Sequence, residues 1–362
     1  MALTAVAEIQ KFKGSQEAEL FKTLERADRT TEIIPIGCQE DVLMNSNGTF
    51  GNGLRATRWA LYQLSKHLCP GLYNCLDELV TLEPDKGIVA AVDIFNRIVR
   101  LRFRDTLAGY MWLVDQHTKT IEAVVSSKYR FVSNLAAYQT IKDALSPIPT
   151  KFQEAELAGR WMLLRFYDPR KLFAIGEQRF FKGFHFSNHE GGQASLHAAN
   201  TVVRDGPLTF AANMSGEQHV RHVGGSIKQR IKDVLSRIMS HKIDLAAIEN
   251  NVKVLMGQTL GLGLAKEEDE DKRRKDLVGQ LSARERLHKT LASRILAGAI
   301  TQPHNVSEPR PAFAISRKDL QALTSWDLVI ALCREAKSLP IASRERAEQL
   351  SYALLTGRLR LR

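Results

Sequence analysis

The spacing of apolar side chains changes twice along the chain, and each change indicates a different kind of structure. Up to residue 98 apolar positions recur at helical spacing, and from residue 217 onward they do so again. A turn-rich loop is expected where glycine and asparagine cluster at residues 42–53. Helices are predicted over residues 5–28, 54–68, 72–82, 88–98, 227–243, 244–257, 277–298, 317–337 and 343–356.

Between residues 99 and 216 apolar and polar positions alternate, which is the pattern of half-buried strands. Gly191 and Gly192 interrupt this block and predict a tight turn between two strands. One helix is expected in the block, at 135–145. Strands are predicted over residues 99–105, 107–115, 120–127, 129–134, 155–168, 178–188 and 193–206.

These patterns predict an α+β fold in which an antiparallel sheet with flanking helices in the N-terminal part precedes a mostly helical C-terminal part. The domain organisation follows the same changes of spacing. We expect a helical and loop segment over residues 1–98, a sheet-rich α+β core over 99–216, and a basic helical region over 217–362 with a charged linker at 265–276.

The composition is that of an ordinary globular protein. The chain has 362 residues, of which 44% are hydrophobic and 25% charged, so a disordered or low-complexity chain is excluded. No apolar run is long enough to span a bilayer, and the first residues lack the apolar core of a signal peptide. Four cysteines without a CxxC pair fit a reducing compartment. We therefore expect a cytoplasmic protein without a membrane partner.

The distribution of charge indicates a polyanionic partner. The formal net charge is +11. Residues 1–216 carry 25 basic and 23 acidic side chains, whereas residues 217–362 carry 26 and 17. Such an asymmetry is typical of proteins that bind nucleic acid, although a basic protein kept soluble by its charge is the alternative.

Arginine alternates with apolar residues over 99–105, and in a strand this arrangement places three guanidinium groups on one face. Basic residues next to aromatic rings recur at two further places, around Tyr129 and around Phe180 and Phe181. Such surfaces suit single-stranded nucleic acid, because cations neutralise phosphates while bases stack on rings. A solvated face is the alternative. The candidate binding residues are Arg100, Arg102, Arg104, Lys128, Tyr129, Arg130, Arg179, Lys182, Arg204, Arg221 and Lys228.

Signatures of known enzyme classes are absent. There is no GxxxxGK[ST], GxSxG or HExxH motif, so no catalytic residue and no cofactor is predicted. Histidine provides the one metal hypothesis, since imidazole nitrogens near a carboxylate can bind Zn²⁺ or Mn²⁺. The candidates are His185, His189 and His222, and a metal-dependent nuclease at these residues is the alternative to a binding protein.

Four stretches together resemble a phage- and plasmid-encoded protein family of unassigned function. They are VVSSKYRFVSNLAAYQTI (124–141), FHFSNHEGGQASLHAANTVVRDG (184–206), RHVGGSIKQRI (221–231) and SWDLVIALCREAKSLPIASR (325–344). Where that family has Cys-Asn-Gly after an arginine, this chain keeps only Asn213. The positions that match the family's pattern are Tyr129, Asn134, Asn188, Gly191, Arg204, Arg221 and His222.

The resemblance brings no reaction with it, but it implies a bacterial host cell for the cytoplasmic location. The order of elements is also similar to that of the single-strand annealing proteins of phage recombination. The resulting hypothesis is a non-catalytic, homo-oligomeric protein that binds single-stranded DNA during phage or plasmid recombination or replication. One version of this hypothesis adds that the protein anneals the strands. A third hypothesis is an oligomeric phage protein of assembly or host interaction.

Overall fold

Two β-sheets and twelve helices make up the part of the chain that the structure, a computed structural model, describes. The predicted α+β fold, with an antiparallel sheet first and a mostly helical part after it, is confirmed. The described residues are 9–175, 178–204, 211–213, 218–222, 226–240, 245–263, 267–285, 287–303, 305, 308–311, 314–355 and 359.

The smaller sheet has four strands in the order β2-β4-β5-β3, of which only β3 and β5 run parallel. Its core contains the buried rings of Phe50, Phe95 and Trp112. The elements of this region, in chain order, are β1 (Ile9–Lys13), α1 (Glu17–Thr30), β2 (Thr31–Pro35), β3 (Arg55–Ala56), α2 (Arg58–Leu68), α3 (Leu72–Leu82), α4 (Pro84–Thr106), β4 (Tyr110–Asp115), β5 (Thr120–Ser126) and α5 (Asn134–Leu145).

The larger sheet is antiparallel throughout and has the order β1-β6-β7-β8-β9, with two short strands that both pair with β9. A turn at 190–195 joins β8 to its neighbour β9. The strands that follow α5 are β6 (Lys151–Ala158), β7 (Trp161–Ile175), β8 (Gln178–His189), β9 (Leu196–Arg204), β10 (Ala211–Asn213) and β11 (Gln218–Val220).

Helices cover the larger sheet. One cluster of buried side chains joins the sheet to α1, α5 and α6, and another joins it to the later helices around Trp326. These helices are α6 (Ile227–Ser240), α7 (Leu245–Gly257), α8 (Glu267–Glu285), α9 (Lys289–Thr301), α10 (Arg317–Ala322), α11 (Ser325–Ala336) and α12 (Ile341–Leu355). None of the helices in the described residues is both long and apolar enough to cross a bilayer.

A buried network of charges fixes α12 to the sheet. Arg165 on β7 is fully buried and donates hydrogen bonds to Glu154 on β6 and to both carboxylate oxygens of Glu348 on α12. Arg344, one turn earlier on α12, bonds to Glu154, Glu156 and Glu348. Each guanidinium group is thus surrounded by carboxylates, which a buried charge requires.

The strand predicted at 99–105 is wrong, because these residues form the last two turns of α4. Phe95 and Val99 are buried four residues apart and continue the stripe of the preceding helix. On a helix Arg100 and Arg104 share a face, whereas Arg102 lies on another. The three guanidinium groups therefore do not form the single row that was expected.

Other predicted elements differ in their limits. A helix was predicted over 5–28, but its first described residues form strand β1. The predicted strand at 155–168 is two strands joined at Gly159. Residues 129–134, also predicted as a strand, do not form one. The charged stretch at 265–276 is helical from Glu267 onward, since it is the first half of α8. The predicted helices at 277–298 and 317–337 are each two helices. Some residues of the predicted helices, strands and charged linker lie outside the described part of the chain, and these are 5–8, 205–206, 241–244, 265–266, 286 and 356.

Candidate nucleic-acid interface

A cavity of about 340 Å³ lies where α2, the end of β5 and the turn between β8 and β9 meet. We call it the His222 cavity. It brings together four of the positions singled out from the sequence: Tyr129, Gly191, Arg221 and His222. Its lining includes Gln63, His67, Tyr129, Gly191, Arg221 and His222.

The β8–β9 turn is held by the side chain of His189. Its Nδ1 accepts hydrogen bonds from the backbone N–H groups of Gly191 and Gln193, both at 3.1 Å, so the ring proton must sit on Nε2. Burial lowers the pKa of His189 to about 3, which keeps the ring neutral. The carbonyl of Gly191 in turn accepts from Trp59 Nε1 and Gln63 Nε2, which ties the turn to α2.

Replacement of Gly191 by alanine is expected to destabilise the fold by about 1–3 kcal/mol. A Cβ atom there would lie 2.7 Å from Ala123 Cβ and 2.9 Å from His189 Cε1. Gly279→Ala in α8 is the matched control, because no atom of the described residues lies within 4 Å of its added Cβ and alanine favours a helix. Thermal unfolding measures both. Equal stability of the two variants would contradict this placement of the turn.

Glu190 connects the cavity to the interior. One carboxylate oxygen accepts from the backbone N–H of Asn134, the other lies 2.9 Å from Arg160, and its carbonyl accepts from the Tyr129 hydroxyl. Asn188 Nδ2 donates to Asn134 Oδ1 at 2.8 Å. Tyr129, Asn134 and Asn188, three of the positions on which the resemblance was drawn, thus belong to one network, which fixes Tyr129 and the start of α5.

His222 is the unusual group of this site. Its ring stacks on that of Tyr129, with centroids 5.4 Å apart and an angle of 15°. The side chain is buried, as are both ring nitrogens, and neither nitrogen makes a hydrogen bond of standard geometry to the described residues. Burial lowers the pKa of His222 to about 4, against a smaller opposing effect of the Arg130 backbone. A neutral ring whose two nitrogens are both buried therefore lies in the cavity wall.

Exposed cations stand beside the cavity. Lys128 and Arg130 flank Tyr129, and Arg221 lines the cavity itself. All three side chains are exposed, and the backbone N–H of Arg130 donates to the carbonyl of His222 at 2.8 Å, which holds the two segments together. We call Lys128, Arg130 and Arg221 the cationic rim.

A series of rings extends from the cavity along α2 and α3. Trp59 stacks on Tyr62 at 5.5 Å, and Tyr62 meets Tyr73 edge-on at 5.6 Å. Lys66 Nζ and the Arg58 guanidinium lie 6.0 Å from the ring centres of Tyr62 and Tyr73 respectively. Tyr62 is 36% exposed. Rings and cations thus alternate on one surface, as at sites that bind single strands.

Several other predicted binding residues, and the rings next to them, are buried although they were expected on the surface. Phe180 and Phe181 are buried, so they offer no surface for base stacking. Lys182 is half-buried, donates to the Met239 carbonyl and has its pKa lowered by burial. Arg204 is buried as well, and burial lowers its pKa. The exposed members of the predicted set outside the rim are Arg100, Arg102, Arg104, Arg179 and Lys228.

The three metal candidates do not form one ligand set. Among the described residues the set close enough to hold an ion is His185, His197 and Glu345, whose ligand atoms lie within 4.8 Å of one another. His185 Nε2 lies 2.9 Å from Glu345 Oε1, and its Nδ1 accepts from Arg165 Nε at 3.5 Å. Nε2 therefore carries the proton and donates to the glutamate, so the geometry is that of a hydrogen-bonded cluster.

A second cavity, of about 460 Å³, is lined in part by Arg160, the arginine that donates to Glu190. Asp115 and Glu122 line it at 3.8 and 4.0 Å from this guanidinium group. Burial raises the pKa of Glu122 to about 7, and the attraction of Arg160 opposes this shift only in part. The cavity therefore holds a carboxyl group that titrates near neutral pH.

Sequence reasoning missed the rings on α2 and α3. The segment 54–68 was interpreted through its apolar side, which includes Trp59. The useful signal was the recurrence of Trp59, Tyr62 and Lys66 at intervals of three and four, because these positions share one helical face. Comparisons with protein-family models, with curated proteins and with solved structures found no match.

Proposed function

We propose that the protein binds single-stranded nucleic acid, with DNA as the favoured strand, and that it does so without catalysis. The observation that supports this most is the meeting of the cationic rim with the His222 cavity and the rings of α2 and α3. Phosphates would lie on the rim while bases face rings and cavity. A role in phage or plasmid recombination or replication, and assembly of several copies on one strand, are parts of the same proposal.

Two features favour a single strand over a duplex. The rings that line this surface present faces and edges on which unpaired bases can stack, and such stacking needs no particular sequence. The cations lie around a concave site next to those rings, whereas duplex DNA requires phosphate contacts along a groove or backbone. We therefore expect weaker binding of duplex than of single strands at equal salt.

The rim variant Lys128→Ser/Arg130→Ser/Arg221→Ser is expected to weaken strand binding and to reduce the salt dependence. Each lost phosphate contact should make the slope of log K against log salt shallower by about 0.7, so three contacts change it by roughly 2. The measurement is a binding titration with a single-stranded oligonucleotide over a series of salt concentrations.

The matched control is Arg100→Ser/Arg102→Ser/Arg104→Ser on α4, which removes the same charge from exposed positions. We expect its slope to stay close to that of the wild type. An equal loss in both variants would show that net charge alone attracts the strand, and a wild type with a flat salt response would contradict the proposed function itself.

A further inference from the structure

We propose that copies of this protein assemble head to tail, with the corner between α3 and α4 of one copy docked in a groove between α8 and α9 of the next. The inference rests on the assembly of several copies that the proposed function includes, and it names the two surfaces that meet. Because the two surfaces differ, each copy offers one and receives the other, which generates a ring or a filament.

The groove has a volume of about 600 Å³. Its residues on α8 and on α9 recur at helical spacing, so one face of each helix forms a wall. Leu296 and Ile300 are buried and Val278 is half-buried, which makes an apolar floor. An added Cβ at Gly279 would have no atom of the described residues within 4 Å, so space remains beside α8. Grooves of this kind accept the apolar side chains of a helical segment.

The rim of the groove is basic. Lys275 and Lys289 are exposed, and no ion pair joins either of them to a described residue. Arg274 also lines the groove and pairs with Glu270, whereas Asp271 is the acidic residue of the lining. Two unpaired lysines therefore border an apolar floor, and the matching occupant carries carboxylates around an apolar side chain.

The corner between α3 and α4 has this chemistry. Leu82 is 72% exposed, and Val89 on the second turn of α4 is 62% exposed. Glu78 lies one turn before Leu82 on the same face of α3, and Glu83 follows it. Both glutamates are exposed, and neither pairs with a described residue. Residues 72–86 carry four acidic side chains and one basic side chain, so the corner as a whole is negative.

The opposite charges of the two surfaces favour a second copy of the chain as the occupant of the groove. Two grooves repel each other, as do two corners, so only the head-to-tail contact is attractive. A nucleic-acid strand would meet the lysines, but the apolar floor offers nothing to its phosphates. The second copy satisfies both the rim and the floor.

The first test measures association without nucleic acid, by analytical ultracentrifugation over a series of protein and salt concentrations. Wild type is expected to associate, and to do so more weakly as salt rises. Leu82→Ser should weaken association about tenfold or more, because the leucine is buried only in the docked state. Leu101→Ser on α4 is the matched control, since this leucine is 74% exposed and lies outside both surfaces. It should associate as the wild type does.

A second variant closes the groove without changing a charge. Gly279→Leu places a side chain in the open space beside α8 and should weaken association about as much as Leu82→Ser. Thermal unfolding confirms that each variant is folded before association is measured.

The third test exchanges the charges. Glu78→Lys/Glu83→Lys and Lys275→Glu/Lys289→Glu change exposed side chains, and each variant alone should associate more weakly than wild type, because like charges then meet. An equimolar mixture of the two restores opposite charges at every contact, so association should recover. A mixture as weak as its components would overturn the proposal, even if Gly279→Leu does not fold.

Three other results would also overturn it. They are a wild type that stays monomeric with and without a long single strand, a Leu82→Ser variant that associates as the wild type does, and a loss of strand binding without loss of association in Lys275→Glu/Lys289→Glu. A monomeric wild type that binds the strand would leave strand binding, the main part of the proposed function, in place. A wild type that assembles through these surfaces and binds no strand would overturn strand binding alone.

Discussion

The variant Arg165→Met is expected to lose about 3–5 kcal/mol of its free energy of unfolding. The guanidinium group is fully buried and bonded to Glu154 and Glu348, so its removal leaves these interior carboxylates with Arg344 as their remaining arginine partner. Methionine fills similar space, which separates the loss of charge from the loss of packing. Denaturant unfolding followed by circular dichroism measures the change.

Arg170→Met is the matched control on the same strand. This arginine is largely exposed and pairs with Asp168, so we expect the stability to stay close to that of the wild type. A stable Arg165→Met variant would mean that apolar packing, and not the network of charges, holds α12 to the sheet. Glu348→Gln should also lose stability, because it removes the negative charge that Arg165 and Arg344 share in the interior.

The stability difference between wild type and Glu122→Gln is expected to depend on pH. The pKa of Glu122 is raised from 4.5 to about 7, so the folded state favours the protonated carboxyl. The stability that this gives is complete below pH 4.5 and is lost as pH rises through 7. Glutamine remains neutral, so wild type should lose about 3 kcal/mol relative to the variant between pH 4.5 and 8.

Chemical unfolding at a series of pH values provides this comparison, because the other titrating groups are common to both proteins and cancel in the difference. A difference that stays constant with pH would show that Glu122 is ionised with its ordinary pKa. A difference of the opposite sign would mean that the attraction of Arg160 outweighs burial.

The sequence predicts the class of fold and most helices, because long apolar stripes at helical spacing dominate local structure. It fails at 99–105, where alternation of arginine with apolar residues fits a strand and the same residues fit a helix. These residues are helical because they continue a helix that begins at Pro84, and Phe95 and Val99 extend its buried side. Leu101 would be buried if 99–105 were a strand, but its side chain is 74% exposed.

The candidate site could be predicted only in its parts. Tyr129, Arg221 and His222 stand out singly in the sequence, but the cavity depends on pairings between segments far apart in the chain. Trp59 reaches Gly191 across 132 residues, and the Arg130 backbone meets His222. Sequence spacing also cannot separate buried from exposed basic residues, which is why Arg204 was expected on the surface and lies inside.

The ion pair between β7 and α12 has a consequence for synthesis of the protein. Arg165 and Glu348 are 183 residues apart, so at about 5–20 residues per second the ribosome makes the arginine roughly 10–40 s before its partner. During this interval the nascent sheet contains Arg165 with Glu154 alone, and its other side lacks α12. The ion-pair network that buries Arg165 is therefore completed only after α12 has been translated.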